Sequence, residues 1–289
     1  MKNRRRFIII VGIFLLGLAL APPAQAVYFN YADFADTSDF LLIAQAKGIY
    51  DDDNYSPGRH VLRLTRTEGP TLGVAWLQDH FTLAPDYSFA TTFQFRLFKP
   101  TLIGDWADGF TFVVQTLKVD DSMWGGGGGN LGYKYDGSEG QTRIAPSVAV
   151  EFDTHDNSEG DDRIYCNHLA IDKNGDLHAG GEFERPSIDL NDGTIWQAWI
   201  EYDGTNLRAW VGSPGVRPVT PVLNYAISLE EILKTNHVYL GFTASWSGGW
   251  QHHDILSWEF SSVPAPSTIL LLGTGLLGLL GLGRRQKRR

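Results

Sequence analysis

Ser147-Val-Ala-Val-Glu151-Phe-Asp153-Thr-His155-Asp-Asn157, followed by an acidic loop and then His168-Leu-Ala-Ile-Asp172, is the stretch on which the reading of this 289-residue chain turns. From Ser147 to Asp153 apolar and polar residues alternate. On a β-strand that alternation sends Val148, Val150 and Phe152 to the core face and Glu151 and Asp153 to the other. The second run repeats the pattern, with Leu169 and Ile171 facing the core and His168 turned outward. If the two strands pair, the loop between them brings an imidazole towards two carboxylates. Oxygen ligands suit Ca²⁺, and a histidine added to carboxylates suits a transition ion such as Mn²⁺. The same residues also fit an acidic hairpin loop that holds no ion.

Short alternating runs of the same kind occur on both sides, at 60–65, 89–98, 109–115, 196–202, 207–211, 239–244 and 255–260. Asn174-Gly175 and Asp203-Gly204 sit between such runs as tight hairpin turns. Only Ser228-Leu-Glu-Glu231-Ile-Leu reads as a helix, a short one opened by a capping box. Many strands with almost no helix predict an all-β sandwich or barrel, and the sequence has no internal repeat.

The two ends read differently from the middle. Residues 1–26 carry a basic start (Lys2, Arg4, Arg5, Arg6), an apolar stretch from Phe7 to Ala21 and Ala24-Gln-Ala26, the pattern of a secretory signal peptide cut before Val27. Residues 263–283 are uncharged, about the length of a transmembrane helix, and Arg284-Arg-Gln-Lys-Arg-Arg289 behind them is a basic cluster expected to stay cytoplasmic. All 33 acidic residues lie between these ends, against 24 basic residues less the four in the leader and five in the tail. Residues 27–262 therefore carry 15 minus 33, or 18 net negative charges, which disfavours nucleic acid as a partner. That length suits one sandwich domain. The single Cys166 cannot form an internal disulfide, so packing and metal must hold the exported fold.

The string Glu151-Phe-Asp153-Thr-x-x-Asn157, with His168 opening the next strand, resembles the metal-binding signature of the legume-type (L-type) lectins. The resemblance spans Phe29 to Phe260 and implies a concanavalin-like jelly-roll β-sandwich, with Asp254-Ile-Leu-Ser-Trp-Glu-Phe260 as its closing strand. It implies Glu151, Asp153, His168 and a loop aspartate as ligands of Mn²⁺ or a similar ion. For Ca²⁺ it implies Asp153, the carbonyl of His155, Asn157 and the same loop aspartate. Asp162 is favoured for that place with Asp161 in reserve, because the family usually spaces the residue five before the histidine and here the spacings are six and seven.

The same resemblance implies a sugar site. Asp108 in Ala107-Asp108-Gly109, behind a cis peptide, would accept from sugar hydroxyls. A backbone N–H from the glycine run 125–129, with Gly128 and Gly129 the candidates, would donate, and the Asn157 amide would face the sugar. Which glycine donates is not legible, and a flexible linker is the plain alternative for the run. No Lys-Ser or Lys-Thr follows it, so a phosphate-cradling loop is excluded. Trp246-Ser-Gly248-Gly249-Trp250 falls where the family's variable specificity loop lies, and its indoles suit either stacking on sugar or packing at the edge of the core. Asp51-Asp-Asp-Asn54 reads as a solvated loop, and His252-His253 as structural.

Residues 263–289 resemble the PEP-CTERM sorting signal, a Pro-x-Pro motif, an apolar helix and an Arg-rich tail, with Ala265 where glutamate is usual. This implies processing by an exosortase-type enzyme and delivery to the envelope, extracellular matrix or medium, with membrane contact through the tail before processing.

The expected function is non-enzymatic, Ca²⁺/Mn²⁺-dependent binding of a glycan or exopolysaccharide; the sequence leaves oligomerisation open. Two rivals stand beside it. A laminarinase-like β-glucanase would carry Glu-x-Asp-x-x-Glu, and here Glu151 and Asp153 match but Asp156 takes the third place, too short for the roughly 5 Å carboxyl pair of a retaining mechanism. The other is a structural adhesion protein of the matrix.

Overall fold

The computed structural model describes residues 27–51, 58–67, 72–98, 107–155, 167–177, 183–248 and 251–262. The described residues form two antiparallel sheets. The back sheet holds β1 (Val27–Tyr31), β3 (Lys47–Asp51), β4 (Arg59–Thr65), β7 (Phe89–Phe98), β12 (Trp196–Tyr202), β13 (Asn206–Gly212), β14 (Leu223–Ala226) and β16 (His252–Ser262). Its order is β14-β13-β12-β7-β16-β4-β3, with β1 added to β16. The front sheet holds β2 (Phe40–Ala44), β5 (Leu72–Leu77), β6 (Phe81–Thr82), β8 (Gly109–Gln115), β9 (Ser147–Asp153), β10 (His168–Lys173), β11 (Phe183–Glu184) and β15 (His237–Ser245). Its order is β11-β10-β9-β8-β15-β5-β2, with β6 on β15. Neighbours distant in sequence, such as β8 with β15 and β7 with β16, make this the expected jelly-roll sandwich.

Alternation sets the core between the sheets. Phe93, Phe95 and Leu97 point in from β7, Phe110 and Phe112 from β8, Val148, Val150 and Phe152 from β9, and Trp258 and Phe260 from β16. Phe110 stacks on Phe152 at 4.6 Å, and Phe242 lies 4.7 Å from Trp258. Each such ring contributes about 1.5–3 kcal/mol by leaving water. A bulge between Ile255 and Ser257 shifts the register of β16 on β7. Asn174 and Gly175 take φ of 57° and 65°, the pair of positive values that a two-residue hairpin turn requires. The helix α1 (Leu229–Leu233) is capped by Ser228, whose hydroxyl accepts from the Glu231 N–H at 3.2 Å.

A second core covers the other face of the front sheet. Val74, Trp76, Val113 and Ala149 from its strands pack under Met123, Leu131, Tyr133 and Ile144 from the long loop between β8 and β9. The Trp76 indole N–H donates to the Met123 carbonyl at 2.8 Å, tying loop to sheet. Every residue of β9 is buried, Glu151 and Asp153 included. His168 turns away from the inter-sheet core, the side expected of it, but is fully buried rather than exposed.

The solvated loop expected from Asp51 onward is also corrected at its first residue. Asp51 closes β3 and is buried in a four-charge cluster on the back sheet's outer face, paired with Arg63 at 3.2 Å and with Arg96 at 2.5 Å. Asp254 completes it, at 2.7 Å from Arg63 and 3.0 Å from Arg96. Burial alone would raise the Asp254 carboxyl, but the two guanidinium groups hold it below the ordinary carboxylate range. Asp52, Asp53 and Asn54 lie outside the described residues. His252 and His253 are buried, as expected of structural histidines, and burial pushes the His253 imidazole down to about 3.

Val27 pairs with Ser262, so both ends of the described sandwich leave from one pole. The eleven residues of β16 run from there to His252 at the opposite pole, a span of about 35 Å at roughly 3.3 Å per residue. No helix among the described residues is long and apolar enough to cross a membrane, and the leader at 1–26 and the span and tail expected at 263–289 lie outside those residues.

Candidate functional site

The strands β8, β9 and β10 lie side by side, and their register decides what meets. His168 is the direct partner of Asp153, and Gly109 faces Asp153 from the other side. Glu151, two residues before Asp153, shares its face. One ligand atom from each of Glu151, Asp153 and His168 falls within 4.8 Å of the others, and all three residues are buried. Two adjacent carboxylates withdrawn from water repel each other and lose hydration, a cost that a cation between them removes. Carboxylate oxygen with imidazole nitrogen is a donor set for a transition ion or Ca²⁺, so these residues fit the expected group.

The chain turns as it leaves β9. The Asp153 carboxylate accepts from the His155 N–H at 2.7 Å, an Asx-type turn that leaves His155 half-buried beside the cluster. Asn157, Asp161 and Asp162, and Asp156 with them, lie outside the described residues.

Beside this cluster the Ala107–Asp108 peptide is cis, and Asp108 is fully buried. Its carbonyl accepts from both the N–H and the hydroxyl of Thr154, at 2.8 and 2.9 Å. The Thr154 hydroxyl also meets the Gln251 side-chain oxygen at 3.1 Å, linking the end of β9 to the residue before β16. Asp108 Oδ2 accepts from the Ser247 N–H at 2.7 Å, while Oδ1 has no hydrogen-bond partner among the described residues. Burial pushes the Asp108 carboxyl up to about 6, against the opposing pull of the Ser247 N–H and nearby His155.

The glycine run is wound back on itself rather than extended as a linker. Gly125 N–H donates to the Gly132 carbonyl at 2.6 Å, Gly126 N–H to that of Lys134 at 2.8 Å, and Gly128–Asn130 makes a 3₁₀ turn. Gly128 has φ of 63°, and a Cβ there would meet the Ser247 hydroxyl at 2.5 Å. Its carbonyl accepts from the Ser245 hydroxyl. Glycine is required here by conformation and by close approach together. Gly129 follows in the same turn, half-buried.

Trp246 is buried, and its indole N–H donates to the Arg66 carbonyl at 2.8 Å. It fixes the base of a loop from which Ser247 and Gly248 emerge exposed. Gly249 and Trp250 lie outside the described residues. The structure thus gathers Asp108, Gly128, Ser247, Thr154 and Gln251 beside Glu151, Asp153 and His168. Of these, Ser247, Thr154 and Gln251 escaped the sequence reading, because they act through a backbone N–H or through contacts between residues 97 and 139 positions apart.

Residues 26–270 match the legume lectin domain family, and residues 262–289 match the PEP-CTERM protein-sorting motif. The L-type lectin-domain containing receptor kinase VIII.1 of Arabidopsis thaliana is 32% identical over 180 residues, 61% of this chain and 24% of that protein. This chain therefore spans about a quarter of the length of that relative. A lectin-like protein of Arabidopsis thaliana is 28% identical over 273 residues, covering 86% of this chain and 95% of the relative. Among solved structures, a lectin from Bauhinia forficata in complex with GalNAc superimposes with a TM-score of 0.62 at 28% identity, covering 83% of this chain and 99% of that one. Basic winged bean lectin with Tn-antigen gives 0.64 at 25% identity, over 83% and 100%. With two sheets in this order, a buried Glu-Asp-His cluster and a match over most of its length, the chain belongs to the legume lectin domain family.

Proposed function

We propose that this protein is an exported, non-catalytic lectin whose binding of a glycan or exopolysaccharide depends on Ca²⁺ and a transition ion such as Mn²⁺. The observation that carries the proposal is Asp108: a buried carboxylate with one oxygen already engaged by Ser247 and the other without a partner, next to a second buried carboxylate cluster. A fixed acceptor of that kind suits a sugar hydroxyl, which must exchange its hydrogen bond to water for an equally good one. Relatives of this fold whose structures hold GalNAc or Tn-antigen support a glycan as the partner.

Glu151, Asp153, His168 and Asp162 or Asp161 would hold the transition ion. Asp153, the His155 carbonyl, Asn157 and the same aspartate would hold Ca²⁺. The ions would neutralise the buried carboxylates and fix the turn after β9, which Thr154 joins to Asp108. Gly128 would allow the approach of Ser247 and of the ligand, and Gly129, Trp246, Gly248, Gly249 and Trp250 would shape the rim.

The PEP-CTERM motif supports export, with the tail recognised at the membrane and then removed. Because both ends leave from the pole opposite Gln251, a tail-held molecule would present the Asp108 site away from the membrane. A glycan array read with and without EDTA tests the function. Chelator-sensitive binding is expected, and folded, calcium-loaded protein that binds no glycan would refute it.

A further inference from the structure

On the outer face of the back sheet, remote from Asp108, lies an open groove with a cavity volume of about 130 Å³, below the roughly 300–1,000 Å³ of enclosed small-molecule sites and of a size for a shallow contact with one sugar ring. Strand register builds it. Glu201, Ala90, Ser261 and Tyr28 are successive direct partners across β12, β7, β16 and β1, and Trp199, Thr92, Glu259 and Asn30 form the next row on the same face. The small residues Ala90 and Ser261 make the floor, and Trp199 and the exposed Tyr28 stand as aromatic flanks.

The carboxylates are held in place. Arg217 pairs with Glu201 Oε1 at 2.5 Å while stacking over Trp210 at 3.6 Å. The Asn30 amide donates to Glu259 Oε1 at 3.0 Å. Among the described residues Glu259 has no cationic partner, so the groove keeps one uncompensated negative charge. The Thr92 hydroxyl is engaged by its own contacts, donating to the Ala198 carbonyl and accepting from Gln197. What remains for a ligand is the two carboxylates, the Tyr28 and Ser261 hydroxyls and the aromatic faces, and the unpaired charge of Glu259 favours a hydroxyl-bearing, cationic molecule.

We propose that this groove is a second, metal-independent saccharide site that takes a basic amino-sugar chain of the glucosamine type. A pyranose ring lies over Ala90 between Trp199 and Tyr28, its hydroxyls donate to Glu201, and an ammonium group pairs with Glu259.

The test is calorimetric titration of the full chain in EDTA with a glucosamine tetrasaccharide, its N-acetylated counterpart and spermine, alongside tryptophan fluorescence. Saturable binding of the glucosamine tetrasaccharide is expected without metal, about tenfold weaker in Glu259→Gln and for the N-acetylated sugar, as loss of one charge-assisted hydrogen bond requires. Ala90→Leu, an exposed strand position, should fill the floor and abolish it while leaving calcium-dependent array binding intact. Absence of binding by folded wild type in EDTA, or undiminished binding by Ala90→Leu, overturns the proposal. Equal affinity for spermine would show that charge alone is read and overturns it too. A dimer in sedimentation that Ala90→Leu dissociates would assign the face to a second copy of this chain instead. Since EDTA removes the metal-dependent contribution, failure here and failure of the Asp108 reading are separate results.

Discussion

Asp108→Asn is expected to make the metal-free protein more stable and useless as a lectin. The carboxylate is fully buried, and burial raises its pKa from 3.8 to about 6 in the folded chain. A carboxyl whose folded value is raised contributes stability that is complete below its unfolded value, near 4, and is lost as pH rises to about 6. Above that, holding the ionised group costs on the order of 3 kcal/mol, from about two pKa units at roughly 1.4 kcal/mol each. Asparagine keeps the volume, and its carbonyl can still accept from Ser247 N–H at the Oδ2 position. The amide nitrogen then occupies the Oδ1 position, so a donor replaces the acceptor proposed for a sugar hydroxyl. That exchange removes a charge-assisted hydrogen bond of about 1.5–3 kcal/mol and adds an unsatisfied donor, together about a hundredfold or more in affinity. Urea unfolding in EDTA between pH 4 and 8 should show wild type losing stability relative to the variant up to pH 6, and titration with an array-selected glycan in Ca²⁺ should show the loss of binding. An Asn variant that binds like wild type, or that is less stable than wild type at pH 7.5 in EDTA, would refute the reasoning.

Asp153→Ala should release both ions, because Asp153 is the proposed shared ligand, and elemental analysis of the dialysed variant should find neither Ca²⁺ nor transition metal above background. Gly128→Ala should cost about 1–2 kcal/mol from its left-handed φ and crowd Ser247, so that glycan affinity falls more than stability in parallel denaturation and binding curves. Asp254→Asn leaves Arg63 and Arg96 facing Asp51 alone and should cost about 3–5 kcal/mol in urea unfolding at neutral pH, with glycan binding kept by the folded fraction. Mass spectrometry of the exported protein should end near residues 264–267, whereas recovery of peptides from Arg284 onward would indicate a permanent anchor.

The sandwich was legible in the strand pattern of the chain, and the proposed site residues in the 151–168 cluster read together with the family resemblance. Period-two alternation from Ser147 to Asp153 placed Phe152 in one core and Glu151 with Asp153 on the other face, and β9 keeps that division. The capped turn at Ser228 was legible because it depends on residues adjacent in the chain, whereas the cis bond at Asp108 was expected from the family resemblance alone. Strands β2, β3, β5 and β14 were not legible, since each is only four to six residues long, too short to show a clear period. Only the tertiary structure decided that the face bearing Glu151 and His168 is buried: Val113 and Ala149 on it are covered by Met123, Leu131 and Tyr133 from a loop without strand periodicity, and Glu151 and His168 on it are buried as well. It alone turned Asp51 from a solvated acid into one arm of a buried cluster with Arg63, Arg96 and Asp254, residues on four different strands. It alone set the Ser247 N–H on Asp108, 139 residues away. Alternation records which way a side chain points; what lies over it depends on which distant segments the fold brings there, and a backbone donor leaves no mark in the sequence at all.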